Sequence, residues 1–209
     1  MAYRDHLITT MDQLESLYGE KLPTSMIKEI DHISEGYRKL IEAAPFIAVA
    51  TSGPEGLDCS PKGDAAGFVR ILDDRTLAIP DRPGNNRIDG FRNIVRDPRI
   101  ALLFLIPGIG DTFRVNGTAV ITDDEELLSA SEVNGKVPRL GIVVSVTEAY
   151  TQCAKALIRS DLWNSDNHIE RSELPPHGEI LKLISMPELD VDEHERARAE
   201  RYARGEGLY

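Results

Sequence analysis

The chain has 209 residues, of which 41% are hydrophobic and 28% are charged, so it is long enough to bury one sizeable core. Its 24 basic and 35 acidic residues give a net charge of -11, which argues against a protein whose affinity depends on nucleic-acid phosphates or anionic lipids. The sequence has two cysteines far apart and shows no secretory leader, so we expect a cytoplasmic protein without disulfides. It contains no apolar run of about 20 residues, so no membrane span is expected.

The first part of the chain is predicted to be helical. Across residues 23–44, apolar side chains recur at spacings of three and four, with charged side chains between them. This spacing indicates one helix with a buried face and a solvated face. Pro45 follows and would end the helix before the first strand.

The chain then changes to short apolar and β-branched runs, each bounded by Gly, Pro or Asp clusters that are typical of turns. Short connections favour antiparallel pairing, in a barrel or sandwich rather than a doubly wound parallel sheet. Three helices are predicted between or after the strands, at residues 87–95, 123–131 and 151–159. The seven predicted strands are residues 46–51, 57–64, 67–72, 76–80, 100–106, 112–122 and 141–147.

Residues 80–92 form the first candidate site. Asn85 or Asn86 could cap the helix that follows, and the amides of its first turn lack partners within the helix. An arginine in a first helical turn opposes the helix dipole by roughly 0.3 to 1 kcal/mol. Arg82 and Arg87 are therefore easier to explain if an anion binds between them.

The second candidate site is one face of the second predicted strand. Ser60, Lys62 and Asp64 occupy alternate positions, so their side chains share a face of the sheet. A hydroxyl and an ammonium placed together could hold a phosphate or the oxygens of a heterocycle. The small residues 65–67 then leave room for a flat ring, or simply mark a bulge.

Both motifs also fit ordinary surface chemistry. Arg82 could pair with Asp81, and Arg87 with Asp89 or with solvent. The polar strand face could equally be an exposed side of the sheet. The residues alone leave these alternatives open.

A third cationic pair lies in the sequence CAKALIRSDLW. Lys155 and Arg159 share one helical face, where like charges cost about a few tenths of a kcal/mol without a counter-anion. Trp163 follows and could stack on an aromatic ligand, although a lone tryptophan more often belongs to a core or an interface. Cys153 has no histidine near it in sequence, so a nucleophilic thiol is not expected.

Several familiar signals are missing from the sequence. No P-loop, nucleophile elbow or complete dinucleotide fingerprint occurs, and no catalytic residue is assigned. The histidines are scattered without metal-ligand spacing, so no metal site is predicted; they are His6, His32, His168, His177 and His194.

Taken together, these motifs resemble the pyridoxamine 5'-phosphate oxidase-like superfamily of FMN-binding split-barrel proteins, and within it an uncharacterised bacterial branch. The similarity covers residues 30–163. In combination its motifs are highly specific, whereas each alone is weak. They are PFIAVAT, CSPKGD, LAIPDRPGNNRIDGFRNI, DPRIALLFLIPG, FRVNGTAVIT and CAKALIRSDLW.

The resemblance implies a mainly β, α+β fold built on a six-stranded antiparallel split β-barrel with N-terminal and peripheral helices. The expected domains are an N-terminal helical extension (1–45), a split-barrel flavin-binding domain (46–186) and a charged helical tail (187–209). The resemblance also implies a homodimer with two FMN sites at its interface. Each site would draw on both subunits.

The resemblance also implies which residues bind FMN. Lys155, Arg159 and Trp163 would reach the flavin from the partner subunit, which would explain the like-charged pair. The other FMN-binding residues would come from the second strand, the segment around the first cationic motif and one later strand; they are Ser60, Lys62, Ile79, Pro80, Arg82, Asn85, Asn86, Arg87 and Thr112.

The implied activity is that of an FMN-dependent oxidoreductase with an unidentified small-molecule substrate or electron donor. The acidic tail does not match the basic, histidine-containing C-terminal motif with which the true oxidase holds pyridoxine phosphate, so that substrate is not expected. Two alternatives remain open: a non-catalytic flavin carrier or sensor, and a relative that uses a deazaflavin or haem.

Overall fold

Seven strands form one antiparallel sheet in the computed structural model, which describes residues 2–209. In chain order they are β1 (Phe46–Gly53), β2 (Gly56–Gly63), β3 (Arg70–Asp73), β4 (Thr76–Pro80), β5 (Arg99–Leu105), β6 (Thr112–Thr122) and β7 (Gly141–Gln152). Their order across the sheet is β2-β1-β5-β6-β7-β4-β3. β2 and β3 are therefore its two edges.

Residues 2–209 also contain eight α-helices. They are α1 (Met11–Glu15), α2 (Pro23–Ile27), α3 (Glu35–Ala43), α4 (Asp89–Arg96), α5 (Glu125–Ser129), α6 (Lys155–Ser160), α7 (His177–Ile184) and α8 (Val191–Ala203). None of the helices in this part of the chain combines the length and the apolar character needed to cross a membrane.

The core lies against one face of the central strands. In β5, Ile100, Leu102 and Phe104 are buried while the residues between them are only partly so, and Ile47 and Val49 repeat this alternation in β1. A period of two is the signature of a strand with one buried face. The rings of Phe104 in β5 and Phe113 in β6 pack side by side across the two strands, with their centres 5.5 Å apart.

The predicted strand pattern is confirmed, since each of the seven predicted segments overlaps an observed strand. The antiparallel α+β class is confirmed as well. The six strands implied by the resemblance differ from the seven in the structure, and the sheet order leaves β2 and β3 with one strand neighbour each.

The single helix predicted over residues 23–44 is wrong. It is divided into α2 and α3, because the backbone of Ile30 pairs with Ala149 of β7 through two hydrogen bonds of 3.0 and 2.7 Å. Ser34 then starts α3 by accepting a hydrogen bond from the Tyr37 N–H. A pairing 119 residues away in sequence overrides the local helical period here.

A glycine in the β6–β7 ladder provides a test of this architecture. β6 has a bulge between Asn116 and Gly117, and a Cβ at Gly117 would lie 2.1 Å from the Ser145 carbonyl oxygen. We expect Gly117→Ala to lower the free energy of unfolding by about 1–3 kcal/mol, because the carbonyl cannot move without breaking the ladder. Urea unfolding measures the change. Gly19→Ala is the control, since its Cβ would meet no atom within 4 Å; equal stability of the two variants would contradict the prediction.

Candidate functional site

A cleft of about 1240 Å³ opens beside β2. This volume is somewhat larger than the ~300–1,000 Å³ usual for a small-molecule site. Its walls are β2, the segment that joins β4 to α4, residues 136–139 and residues 207–209. Of the residues predicted to bind FMN, those that line it are Ser60, Lys62, Pro80, Arg82, Asn85, Asn86 and Arg87.

Helix α4 positions the β4–α4 segment by packing closely on the sheet. The Asn93 side-chain amide donates to the Thr51 hydroxyl of β1 at 3.1 Å, and both residues are buried. Two glycines permit this approach. A Cβ at Gly53 would lie 2.3 Å from the Asn93 side-chain oxygen, and one at Gly90 would lie 3.1 Å from an Asp58 oxygen.

The prediction that Asn85 or Asn86 caps α4 is wrong. The helix begins after Ile88, which has no side-chain cap, and Asn85 instead accepts a hydrogen bond from the Arg87 N–H. Asn86 and Ile88 both lie in the left-handed region, with φ values of 58° and 52°. Asparagine tolerates this region, but a β-branched residue there is strained by about 1–3 kcal/mol. Such strain clusters at ligand-binding segments, and this segment forms one wall of the cleft.

An aspartate holds each of the three cations predicted to bind phosphate. Lys62 Nζ lies 3.0 Å from Asp81, and Arg87 Nε lies 2.8 Å from Asp89. The simple pairing considered for Arg87 is therefore present. Arg82 does not pair with Asp81; its Nε donates to Asp64 at 2.7 Å.

The three pairs differ in their exposure. The side chains of Lys62 and Arg82 are only 19% and 16% exposed, whereas that of Arg87 is 76% exposed. An exposed pair contributes about 0–1 kcal/mol, while breaking a buried pair costs several times more. Arg87 is therefore free to exchange its partner for a ligand, and the other two cations are held in place.

The cleft is locally basic although the chain is strongly acidic. Arg139 makes no ion pair within residues 2–209, and Lys136 donates to the main-chain oxygen of Tyr209. Sequence reasoning did not identify either residue, because nothing in KVPR indicates which surface it meets. The basic residues of the lining are Lys62, Arg82, Arg87, Lys136 and Arg139, against the acidic Asp58, Asp81 and Asp89.

The polar face predicted for β2 is largely present. Ser60 and Lys62 face the cleft, and Ser60 donates to Asp58 at 2.7 Å on the same face. Asp64 follows the last residue of the strand, and its side chain is only 3% exposed. Its role is to accept hydrogen bonds from neighbouring groups.

The remaining predicted site residues lie away from the cleft lining of their own chain. Ile79 is buried in β4. Thr112 pairs with Gln152 at the end of the β6–β7 ladder, and α6, with exposed Lys155 and Arg159, begins just beyond. Trp163 donates its indole N–H to the Ile109 carbonyl at 2.9 Å. The helix predicted over residues 151–159 starts later, at Lys155, because the ladder continues to Gln152.

A separate histidine cluster joins α7 to α8. His177 Nδ1 and His194 Nε2 lie 3.4 Å apart, and a Glu195 oxygen lies within 4.8 Å of both. One Glu195 oxygen accepts the Gly178 N–H at 2.7 Å and the other faces Arg198 at 3.5 Å. The carboxylate is thus already used to join the two helices, and the His177–His194 spacing fits a hydrogen bond.

Comparison with known proteins gives one family match. The family model described as pyridoxamine 5'-phosphate oxidase matches residues 33–153, which include every strand and the β4–α4 segment. No curated protein matches the chain significantly.

Three solved structures are similar over about half of this chain. HupZ from Group A Streptococcus is 23% identical and covers 58% of this chain and 94% of its own, with a TM-score of 0.47. General Stress Protein 26 from Bacillus anthracis is 16% identical, covering 54% and 88%, with a TM-score of 0.41. A Clostridium acetobutylicum protein related to general stress protein 26, of the pyridoxinephosphate oxidase family, is 13% identical, covering 60% and 99%, with a TM-score of 0.41.

The Asp64 carboxylate holds Arg82, which lines the cleft. Its burial raises its pKa, but hydrogen bonds from the Ala65 N–H, the Tyr209 hydroxyl and Arg82 outweigh burial. The pKa of Asp64 therefore lies below its ordinary value of 3.8. Because the unfolded chain binds the proton more tightly, Asp64 stabilises the folded state above the ordinary pKa. That contribution is lost as the pH falls through the lowered pKa.

We expect Asp64→Asn to lower the free energy of unfolding at pH 7 by about 1.5–3 kcal/mol, the worth of a hydrogen bond to a charged group. The difference in the free energy of unfolding between wild type and variant should become smaller as the pH falls below 3.8, the ordinary carboxyl pKa. Urea unfolding from pH 7 to pH 3 measures it. Asp123→Asn is the control, as Asp123 makes no ion pair within residues 2–209. If the loss of stability in Asp64→Asn does not change with pH, the lowered pKa of Asp64 does not contribute to stability and the prediction is wrong.

Proposed function

Because the chain belongs to the pyridoxamine 5'-phosphate oxidase family, we propose that its cleft binds FMN and that the protein is an FMN-dependent oxidoreductase acting as a homodimer. The observation that supports this most is the gathering of five basic side chains around one cleft in a chain of net charge -11. Aspartates compensate three of these cations, so the groups that an anion would complete are Arg139, which makes no ion pair within residues 2–209, and Arg87, whose exposed pair can exchange.

The residues of the cleft fit a flavin mononucleotide. Its volume of about 1240 Å³ leaves room for a mononucleotide. Phe68 and Phe91 supply apolar lining beside the basic groups. The ligand combines a flat apolar ring with a phosphate, and the cleft offers both kinds of surface.

The exposure of the three cations assigns them different tasks. Arg87 would bind the phosphate directly, because exchanging its exposed pair with Asp89 costs little. Lys62 and Arg82, which are largely buried and held by Asp81 and Asp64, would form a fixed positive wall. Backbone amides of the β4–α4 segment would add neutral donors to the phosphate oxygens.

The chemistry of the proposed reaction would come from the cofactor. When bound, the flavin would supply hydride or electron transfer. The chain would orient the ring, exclude water and place Lys62 and Arg82 where they stabilise negative charge.

The proposed dimer would explain the second group of predicted residues. Lys155 and Arg159 are exposed and make no ion pair within residues 2–209. Beside them, Ile158 and Leu162 are exposed apolar side chains. A helix that shows both unpaired cations and apolar groups suits an interface at which it completes the partner's anion site.

The basic test is whether the purified protein binds FMN and passes electrons through it. Added FMN should raise the melting temperature, because a ligand that binds only the native state stabilises it. A nicotinamide donor should then bleach the flavin absorbance without oxygen, and an acceptor should restore it. If flavin binds but is not reduced by the donor, the protein is a flavin carrier or sensor and not an oxidoreductase. If excess FMN leaves the melting temperature unchanged, the proposal that the cleft binds FMN is wrong.

We expect Arg87→Ala to weaken FMN binding roughly 10- to 100-fold, the worth of one charge-assisted hydrogen bond. Quenching of flavin fluorescence measures the dissociation constant. Arg92→Ala is the matched control: Arg92 lies on α4, which follows Arg87, and its guanidinium is 3.8 Å from the same Asp89, but it does not line the cleft. Equal affinities of the two variants would exclude Arg87 as a phosphate ligand.

A mixed dimer tests whether each site draws on both subunits. Homodimers of Arg87→Ala and of Arg159→Ala should both bind FMN weakly. A heterodimer with one copy of each variant should recover one site of wild-type affinity, since one of its sites then contains Arg87 of one chain and Arg159 of the other. Differently tagged chains, co-expressed and purified on both tags, allow the titration. If both sites of the heterodimer bind FMN weakly, Arg87 and Arg159 of the same subunit contact each FMN, and the shared site is wrong.

A further inference from the structure

The last residues of the chain turn back into the cleft. Helix α8 ends at Ala203, and the chain reverses through Gly205 and Gly207, whose φ values of 66° and 77° favour glycine. The N–H of Gly205 bonds to the Tyr202 carbonyl. As a result, residues 207–209 line the cleft.

Tyr209 is tied to three separate parts of the chain. Its hydroxyl donates to Asp64 Oδ1 at 2.9 Å, just beyond β2. The guanidinium of Arg82 lies over its ring, 5.3 Å from the ring centre. Lys136 Nζ donates to its main-chain oxygen at 2.9 Å. A segment resting on the surface by chance would not satisfy three partners from distant elements.

These contacts determine how Arg82 is held. Asp64 Oδ1 accepts from Tyr209 and from the Ala65 N–H, while Oδ2 accepts the Arg82 Nε–H. The carboxylate therefore has a donor on each oxygen and cannot rotate without losing them. The Arg82 guanidinium also packs against the Tyr209 ring. Such a cation–π contact contributes about 0.5–1 kcal/mol, or more when it is desolvated.

The outer edge of Arg82 remains available. Within residues 2–209 neither of its terminal nitrogens donates to a protein group, and neither is sealed from solvent. Arg82 lines the cleft. Its Nε is anchored and its outer N–H groups have no protein acceptor, which is the arrangement that bidentate recognition of an oxyanion requires.

We propose that Tyr209 is a positioning residue of the cleft: through Asp64 and its own ring, it holds the Arg82 guanidinium with its outer edge toward an anionic group of the bound ligand. This rests on the proposed FMN function and deepens it, since it assigns the end of the chain to the cofactor site. The opposite role, in which Tyr209 plugs the cleft and must leave before a ligand binds, predicts the reverse change in affinity.

The test compares Tyr209→Phe, which removes only the hydroxyl, and Tyr209→Ala, which removes the ring, with Tyr202→Phe and Tyr202→Ala. Tyr202 is the matched control, because its ring contacts Arg198 at 5.2 Å in the same way but outside the cleft. We expect the dissociation constant for FMN to rise roughly two- to tenfold in Tyr209→Phe, the net worth of one hydrogen bond, and further in Tyr209→Ala. The Tyr202 variants should bind as wild type does. Unchanged or tighter binding in the Tyr209 variants would overturn the proposal.

A second readout does not require FMN. Phenylglyoxal modifies free guanidinium groups, and peptide mass mapping reports the rate at each arginine. In the protein without added ligand, Arg82 should react faster in both Tyr209 variants than in wild type, while Arg139 should react equally. If wild type binds no FMN, the proposed function fails, and this rate then tests the contact on which the positioning role depends: a faster reaction at Arg82 supports that contact, and an unchanged rate overturns it.

Discussion

The pairing of each predicted phosphate-binding cation with an aspartate is the interaction on which the cleft depends. A chain of net charge -11 can place Lys62 and Arg82 in a largely buried wall only if carboxylates compensate them. Asp81 and Asp64 do so at 3.0 and 2.7 Å. The ion pair also fixes the orientation of the cation. Because Arg82 is held at Nε by Asp64, its other N–H groups point in a defined direction. Carboxylate compensation is therefore what allows basic side chains to gather along the cleft.

The backbone of the cleft follows from close packing beneath it. The buried Asn93–Thr51 hydrogen bond seats α4 on β1, and Gly53 leaves the space that the Asn93 side chain occupies. The segment before α4 ends at Ile88, which takes a left-handed conformation directly before the helix. Strain in the cleft wall is thus offset by burial one layer below.

The predicted FMN-binding residues separate into two groups in one chain. The first group lines the cleft with β2 and the β4–α4 segment, and the second lies around α6 and Trp163 beyond the end of the β6–β7 ladder. In the proposed homodimer the second group of one chain would complete the first group of the other. As a positioning residue, Tyr209 would add a third contribution and would link the charged tail to cofactor binding.

The sequence by itself determined the local features: seven strands by their period of two and their turn residues, the α+β class, and the combined motifs that identified the family. These depend on neighbours in the chain, so they can be read from a short window. Only the tertiary structure decided which partner each charge takes. Asp64 binds Arg82 and Tyr209, and Ile30 joins β7 instead of continuing a helix. Lys136 and Arg139 carry no local signal for the cleft. Such choices depend on which surfaces meet after folding, because hydrogen bonds and ion pairs act over a few ångströms regardless of separation along the chain.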